Sequence, residues 1–111
     1  MENKGGAPTI KMRWHSYKSG ARTRGIPFDI DFRDFQSMWQ KPCSYCGTSI
    51  PTVGIDRVDN SRGYERGNIV PCCAICNKMK MVLDASMFIE HCRRVAKHMA
   101  ENPLPDPSLY P

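Results

Sequence analysis

The chain has 111 residues, 41% of them apolar, which is room for one small domain that gains from a structural staple. Sixteen Lys and Arg against eleven Asp and Glu give a net charge of +5, a balance suited to a polyanionic partner. No stretch approaches the roughly 18 apolar residues of a membrane-spanning helix. The start, Met1 to Gly6, has no apolar run of the secretory kind, so the six cysteines are expected to be reduced, in an intracellular protein.

Residues 1–8 are Gly-rich and polar and are expected to fray. Thr9 can cap a basic, amphipathic helix running to about Ala21 and ended by Gly25. Segment 11–24 carries Lys11, Arg13, Lys18, Arg22 and Arg24 with no acid, interleaved with Trp14, His15 and Tyr17. That is a footprint for phosphate backbones, with a solvated helix face as the plain alternative. Phe28 and Ile30 alternate with Asp29 and Asp31 as a short extended piece. Asp31 then caps a second helix that buries Phe35, Met38 and Trp39 and closes at Pro42.

Two Cys-x-x-Cys knuckles follow, Cys43/Cys46 and Cys73/Cys76. Four thiolates at that spacing suit one tetrahedral Zn²⁺; Cys72 competes with Cys73, and Cys73 keeps the two-residue spacing to Cys76. Between the knuckles, Val53 to Val58 reads as a strand, Asp59 to Tyr64 as a turn, and Asn68-Ile69-Val70 as the returning strand. Ala74 to about Met81 makes a helix carrying Asn77 and Lys80. Zinc at both ends of the segment brings Asp56 near Asn77, a carboxylate and an amide oxygen that suit a second, hard cation.

Asp84 can cap a last helix whose Phe88, Cys92, Val95 and Met99 form one apolar stripe that should pack as support, with His91 and His98 on its solvated side. The tail, with Pro103, Pro105, Pro107 and Pro111, is expected to be an extended arm. The organisation is therefore one small α+β domain in four stretches: a basic helical segment 1–42, a zinc-stapled core 43–82, a supporting helix 83–101 and a Pro-rich tail 102–111.

The order Cys-x-x-Cys, Gly54-Ile55-Asp56-Arg57-Val58-Asp59-Asn60-Ser61-Arg62-Gly63-Tyr64, then Gly67-Asn68-Ile69-Val70-Pro71-Cys72-Cys73-Ala74-Ile75-Cys76-Asn77-Lys78-Met79-Lys80, resembles a phage-type HNH endonuclease. Tyr17, Ala21, Arg24, Gly25 and Phe28 are similar to the N-terminal part of small phage HNH proteins. The resemblance implies the ββα-metal fold and metal-dependent hydrolysis of DNA phosphodiesters, with structural Zn²⁺ on Cys43, Cys46, Cys73 and Cys76 and catalytic Mg²⁺ or Mn²⁺. Asp56 matches the metal-binding carboxylate on the first strand. Asn68 matches the central Asn that braces the loop between the strands, and Asn77 stands in for the final His with an oxygen ligand.

Arg57 occupies the place of the first His, the usual general base, and resembles an Arg found there in some rare-cutting HNH restriction enzymes. A guanidinium is no base. It can instead hold the scissile phosphate and neutralise the charge that builds on it. Tyr17, His15, Asp59, Tyr64, His91 and His98 are then the candidates for activating water, with Tyr17 and His15 favoured because they lie in the basic segment. Lys11, Arg13, Lys18, Arg22, Arg24 and Lys80 are the expected DNA contacts. Palindromic cutting would need a homodimer. The rival readings are a zinc-knuckle DNA-binding module without catalysis and an accessory of a larger phage DNA-packaging machine. Asp56→Ala is expected to abolish cleavage while leaving folding and zinc content unchanged.

Overall fold

The structure is a computed structural model that describes residues 9–106 and 108, so residues 1–8 and part of the Pro-rich tail lie outside it. Helix α1 (Ile10–Thr23) starts where the Thr9 hydroxyl accepts the Met12 amide and stops at Gly25, whose φ of +68° favours glycine. Trp14, Tyr17 and Ala21 turn inward. Lys11, His15, Lys18 and Arg22, at i, i+4, i+7 and i+11, form one exposed stripe.

Strand β1 (Phe28–Asp29) leads into α2 (Phe32–Gln36), begun by a reciprocal box in which the Asp31 and Asp34 side chains each accept the other's amide. This helix is shorter than its apolar pattern suggests. Met38 and Trp39 follow it in a turn, half-buried against the same core.

Strands β2 (Ile55–Arg57) and β4 (Ile69–Pro71) form an antiparallel hairpin with Asp56 opposite Val70, and α3 (Ala74–Lys80) follows directly. Between them the expected turn contains a further strand, β3 (Tyr64–Glu65), which pairs in parallel with β1. Gly63 permits that pairing, since a Cβ there would lie 2.5 Å from the Pro27 carbonyl oxygen. Two-residue strands carry too weak a period-2 signal to stand out against turn formers.

The interior is split. One core gathers Ala21, Ile30, Phe35, Val53, Ile55, Tyr64 and Ile69 between α1 and the hairpin. The other gathers Cys43, Cys72, Cys76 and Phe88 between the knuckles and the last helix, α4 (Ala85–Glu101). The α4 stripe supports only over its first turns: Ala85 and Phe88 are buried and Cys92 half-buried, whereas Val95 is 50% exposed. Asp84 makes no side-chain cap; its Oδ1 accepts the Asn60 amide at 3.2 Å and ties the hairpin loop to the start of α4. Among the described residues no helix is long and apolar enough to cross a membrane.

Candidate active site

The four knuckle sulfurs, of Cys43, Cys46, Cys73 and Cys76, lie within 4.8 Å of one another, and Cys46 Sγ is 3.7 Å from Cys73 Sγ. A tetrahedral site with bonds of about 2.3 Å has sulfur–sulfur edges of about 3.8 Å, so the cluster has the size for a metal such as zinc. Its electrostatics call for a cation. Burial opposes ionisation of Cys43, but the Cys46, Cys73 and Tyr45 amides outweigh it and bring that thiol down to about 6. Burial and the neighbouring sulfurs of Cys73, Cys46 and Cys43 push Cys76 far up. One negative sulfur is easily made and the next is not, unless a positive ion lies among them.

Cys72 is outside this cluster. It is 2% exposed, its thiol donates to the Cys73 carbonyl, and burial followed by the charge of Asp56 pushes it up to about 12.

Asp56 is the one buried acid among the described residues, 6% exposed. Its register on β2 turns it away from the Ile55 side chain and toward the first knuckle and α3. There the Tyr45 hydroxyl donates to its Oδ2 at 2.7 Å, and the Lys80 ammonium lies 3.2 Å from Oδ2 and 3.3 Å from Oδ1. Lys80 also donates to the Arg57 carbonyl at 3.1 Å and is fully buried. The expectation that Lys80 contacts DNA is therefore corrected: a lysine with no exposed surface cannot reach a phosphate, and its charge is matched within the protein. Asn77 is exposed one turn earlier on α3 and makes no side-chain hydrogen bond among the described residues. The Asn77 amide oxygen and the Asp56 carboxylate are both oxygen donors of the hard type.

Asn68, 1% exposed, spans the loop between β2 and β4. Its Oδ1 accepts the Asp59 amide at 2.9 Å, and its Nδ2 donates to the Asp59 and Gly63 carbonyls at 3.1 and 2.9 Å. Arg57 joins the same loop, with Nη1 donating to the Asn60 and Arg62 carbonyls at 2.9 and 2.8 Å. Its guanidinium lies 5.6 Å from the centre of the Tyr64 ring, and its Nε and Nη2 make no hydrogen bond among the described residues. Tyr64 in turn accepts a hydrogen bond from Arg24 Nη2 at 2.8 Å.

Of the two favoured bases, Tyr17 is half-buried. Its hydroxyl accepts the Ile55 amide at 3.0 Å, its ring packs on Phe35, and burial raises it above an ordinary tyrosine, against the help of that amide. It packs, partly buried, against the first core. His15 is exposed on the α1 stripe, and His91 and His98 are exposed on α4. Among the expected DNA contacts, Lys11, Lys18 and Arg22 share that stripe. Arg13 instead donates to the Val53 carbonyl at 3.2 Å, and its Nε is buried without a partner. Arg24 spends its guanidinium on Tyr64 and on the Gly20 carbonyl.

Sequence reasoning missed Tyr45 altogether and gave Lys80 the wrong role. The available signal was position: Tyr45 lies inside a knuckle, and Lys80 lies four residues after the buried Cys76 on the inner face of α3.

A β-hairpin followed at once by a helix, closed by a four-cysteine cluster that joins the two ends of the motif, is the ββα fold of HNH endonucleases. The structure of the rare-cutting HNH restriction endonuclease PacI, described as perturbing DNA by an extraordinary mechanism, is similar to it with a TM-score of 0.67. The match covers 95% of this chain and 89% of that one at 21% identity. An uncharacterized protein of Acanthamoeba polyphaga mimivirus is 33% identical over 88 residues, 78% of this chain, and the chain spans 17% of that protein's length. No family model matches the sequence.

Proposed function

We propose that the chain is a metal-dependent DNA endonuclease that hydrolyses phosphodiester bonds. The observation that carries this reading is Asp56, a buried carboxylate on the first strand of an HNH hairpin, with the free amide of Asn77 on the helix behind it. Asp56 and Asn77 would hold Mg²⁺ or Mn²⁺, which supplies Lewis-acid stabilisation of the charge that develops on the phosphate and on the departing oxygen. Cys43, Cys46, Cys73 and Cys76 would hold Zn²⁺ as the staple.

The protein's own groups do the remaining work. Arg57 is anchored through Nη1 to two loop carbonyls, so its free Nε and Nη2 present a fixed pair of donors to a phosphate. Asn68 keeps that loop in one shape. The exposed stripe of Lys11, Lys18 and Arg22 supplies phosphate contacts that position the duplex without reading its sequence.

One observation favours a second reading, a zinc-knuckle module that binds DNA without cutting it: Lys80 already neutralises Asp56. Purified, zinc-loaded protein incubated with supercoiled plasmid in EDTA, Mg²⁺ and Mn²⁺, beside Asp56→Asn, separates the two. Metal-dependent nicking or linearisation that disappears in the variant is the expected result. A wild-type protein that shifts plasmid on a gel yet leaves it supercoiled in every metal supports the binding module instead.

A further inference from the structure

Tyr45 lies between two cysteines of the cluster, and no step of the proposed reaction uses it. Its ring meets Phe88 of α4 edge-on, centroids 5.4 Å apart at 88°, and its hydroxyl donates to Asp56 Oδ2 at 2.7 Å. That distance is the ordinary one for a well-formed O–H···O hydrogen bond. The second partner of Asp56, Lys80, donates to Oδ1 at 3.3 Å, with its ammonium 3.2 Å from Oδ2. The terminal torsion of an aspartate is soft. Tyr45 is the group that singles out Oδ2, while Oδ1 accepts from Lys80 and keeps its second lone pair.

We propose that Tyr45 is a positioning residue for Asp56, fixing Oδ2 so that Oδ1 is the oxygen offered to the divalent cation. The proposal rests on the nuclease reading of Asp56. Because Tyr45 is carried by the Cys43–Cys46 knuckle and wedged against α4, the sulfur cluster orients the reactive carboxylate as well as stapling the fold. Groups that hold a metal ligand from behind commonly change metal affinity or activity by about 10–100-fold when removed.

Tyr45→Phe removes the hydroxyl and keeps the ring on Phe88. Calorimetric titration of zinc-loaded protein with Mn²⁺, without DNA, should show affinity reduced about 10-fold. Plasmid cleavage should show kcat reduced by a similar factor, with KM for DNA and zinc content unchanged. Mn²⁺ affinity and kcat both at wild-type values overturn the proposal, and so does loss of zinc from the variant, which would assign the phenol to the knuckle itself. A wild-type protein that binds Mn²⁺ but cuts nothing defeats the nuclease reading alone, since the Mn²⁺ comparison still decides whether Tyr45 positions Asp56. A wild-type protein that takes up no Mn²⁺ overturns both.

Discussion

At the scale of single residues, the Asp56–Lys80 pair changes what a substitution means. A buried ammonium left without its carboxylate costs about 3–5 kcal/mol. Asp56→Ala is therefore expected to lower unfolding free energy by that amount in a urea titration, rather than to leave folding untouched as the sequence alone suggests. Asp56→Asn keeps the volume and one acceptor oxygen but also leaves the Lys80 charge without its partner, so it too should lower unfolding free energy, and its zinc content and fold are measured before its cleavage is read. Asn68 is a similar case without charge: its side chain closes three hydrogen bonds across the loop, so Asn68→Ala should cost roughly 1–3 kcal/mol for each buried partner left unmatched. Equal midpoints and slopes for Asn68→Ala and wild type would show that the loop does not need its brace. The role of Asn68 was legible because it stands where the HNH motif has its central Asn. That of Lys80 was not, because a lysine near the end of a basic-looking helix reads as solvated until the hairpin is folded over it.

At the scale of elements, two glycines make opposite predictions. A Cβ on Gly54, just before β2, would stand 2.0 Å from the Cys72 carbonyl oxygen. Gly54 and Cys72 are themselves joined by a backbone hydrogen bond of 2.9 Å that extends the β2–β4 ladder into the second knuckle. Gly54→Ala should consequently break the ladder and yield protein with reduced zinc content. Gly20, in the last turn of α1, has open space around its Cα, and Gly20→Ala should raise stability by about 0.5–1 kcal/mol, seen as a higher melting temperature. The long elements were readable: α1 begins at Thr9, the hairpin strands fall where expected, and α4 starts after Asp84. Capping side chains and helical periodicity are local and survive in a single sequence. The β1–β3 pair was not readable, since each strand has two residues and the pairing joins positions far apart in the chain. The length of α2 was overread because Met38 and Trp39 keep a helical spacing while the chain beneath them has already turned.

For the molecule as a whole, the two small cores lie side by side and α4 extends beyond its packing, giving a radius of gyration of 17.5 Å where a compact chain of this length has about 13 Å. Neither core is large, so removing the cluster metal with a chelator should unfold the knuckle core and its docked α4, with loss of helical circular dichroism. The charge distribution makes a separate prediction for DNA binding. Replacing Lys11, Lys18 or Arg22 by Gln should each reduce the salt dependence of affinity by about one contact, measured as the slope of log K against log salt. Arg13→Gln should leave that slope nearly unchanged, because its guanidinium is turned to the Val53 carbonyl.

The sulfur cluster also has a consequence in time. Cys46 and Cys73, neighbours in the folded protein, are 27 residues apart in the chain, and β2, the loop and β4 all lie between them. On a ribosome adding roughly 5–20 residues per second, the first knuckle emerges a few seconds before the second. During that interval the strand bearing Asp56 has no partner to pair with, and Tyr45 already stands in a half-made knuckle. Emergence of Cys73 and Cys76 would let one ion close the whole loop, so the same event that completes the scaffold also pairs the Asp56 strand and holds its carboxylate against Tyr45.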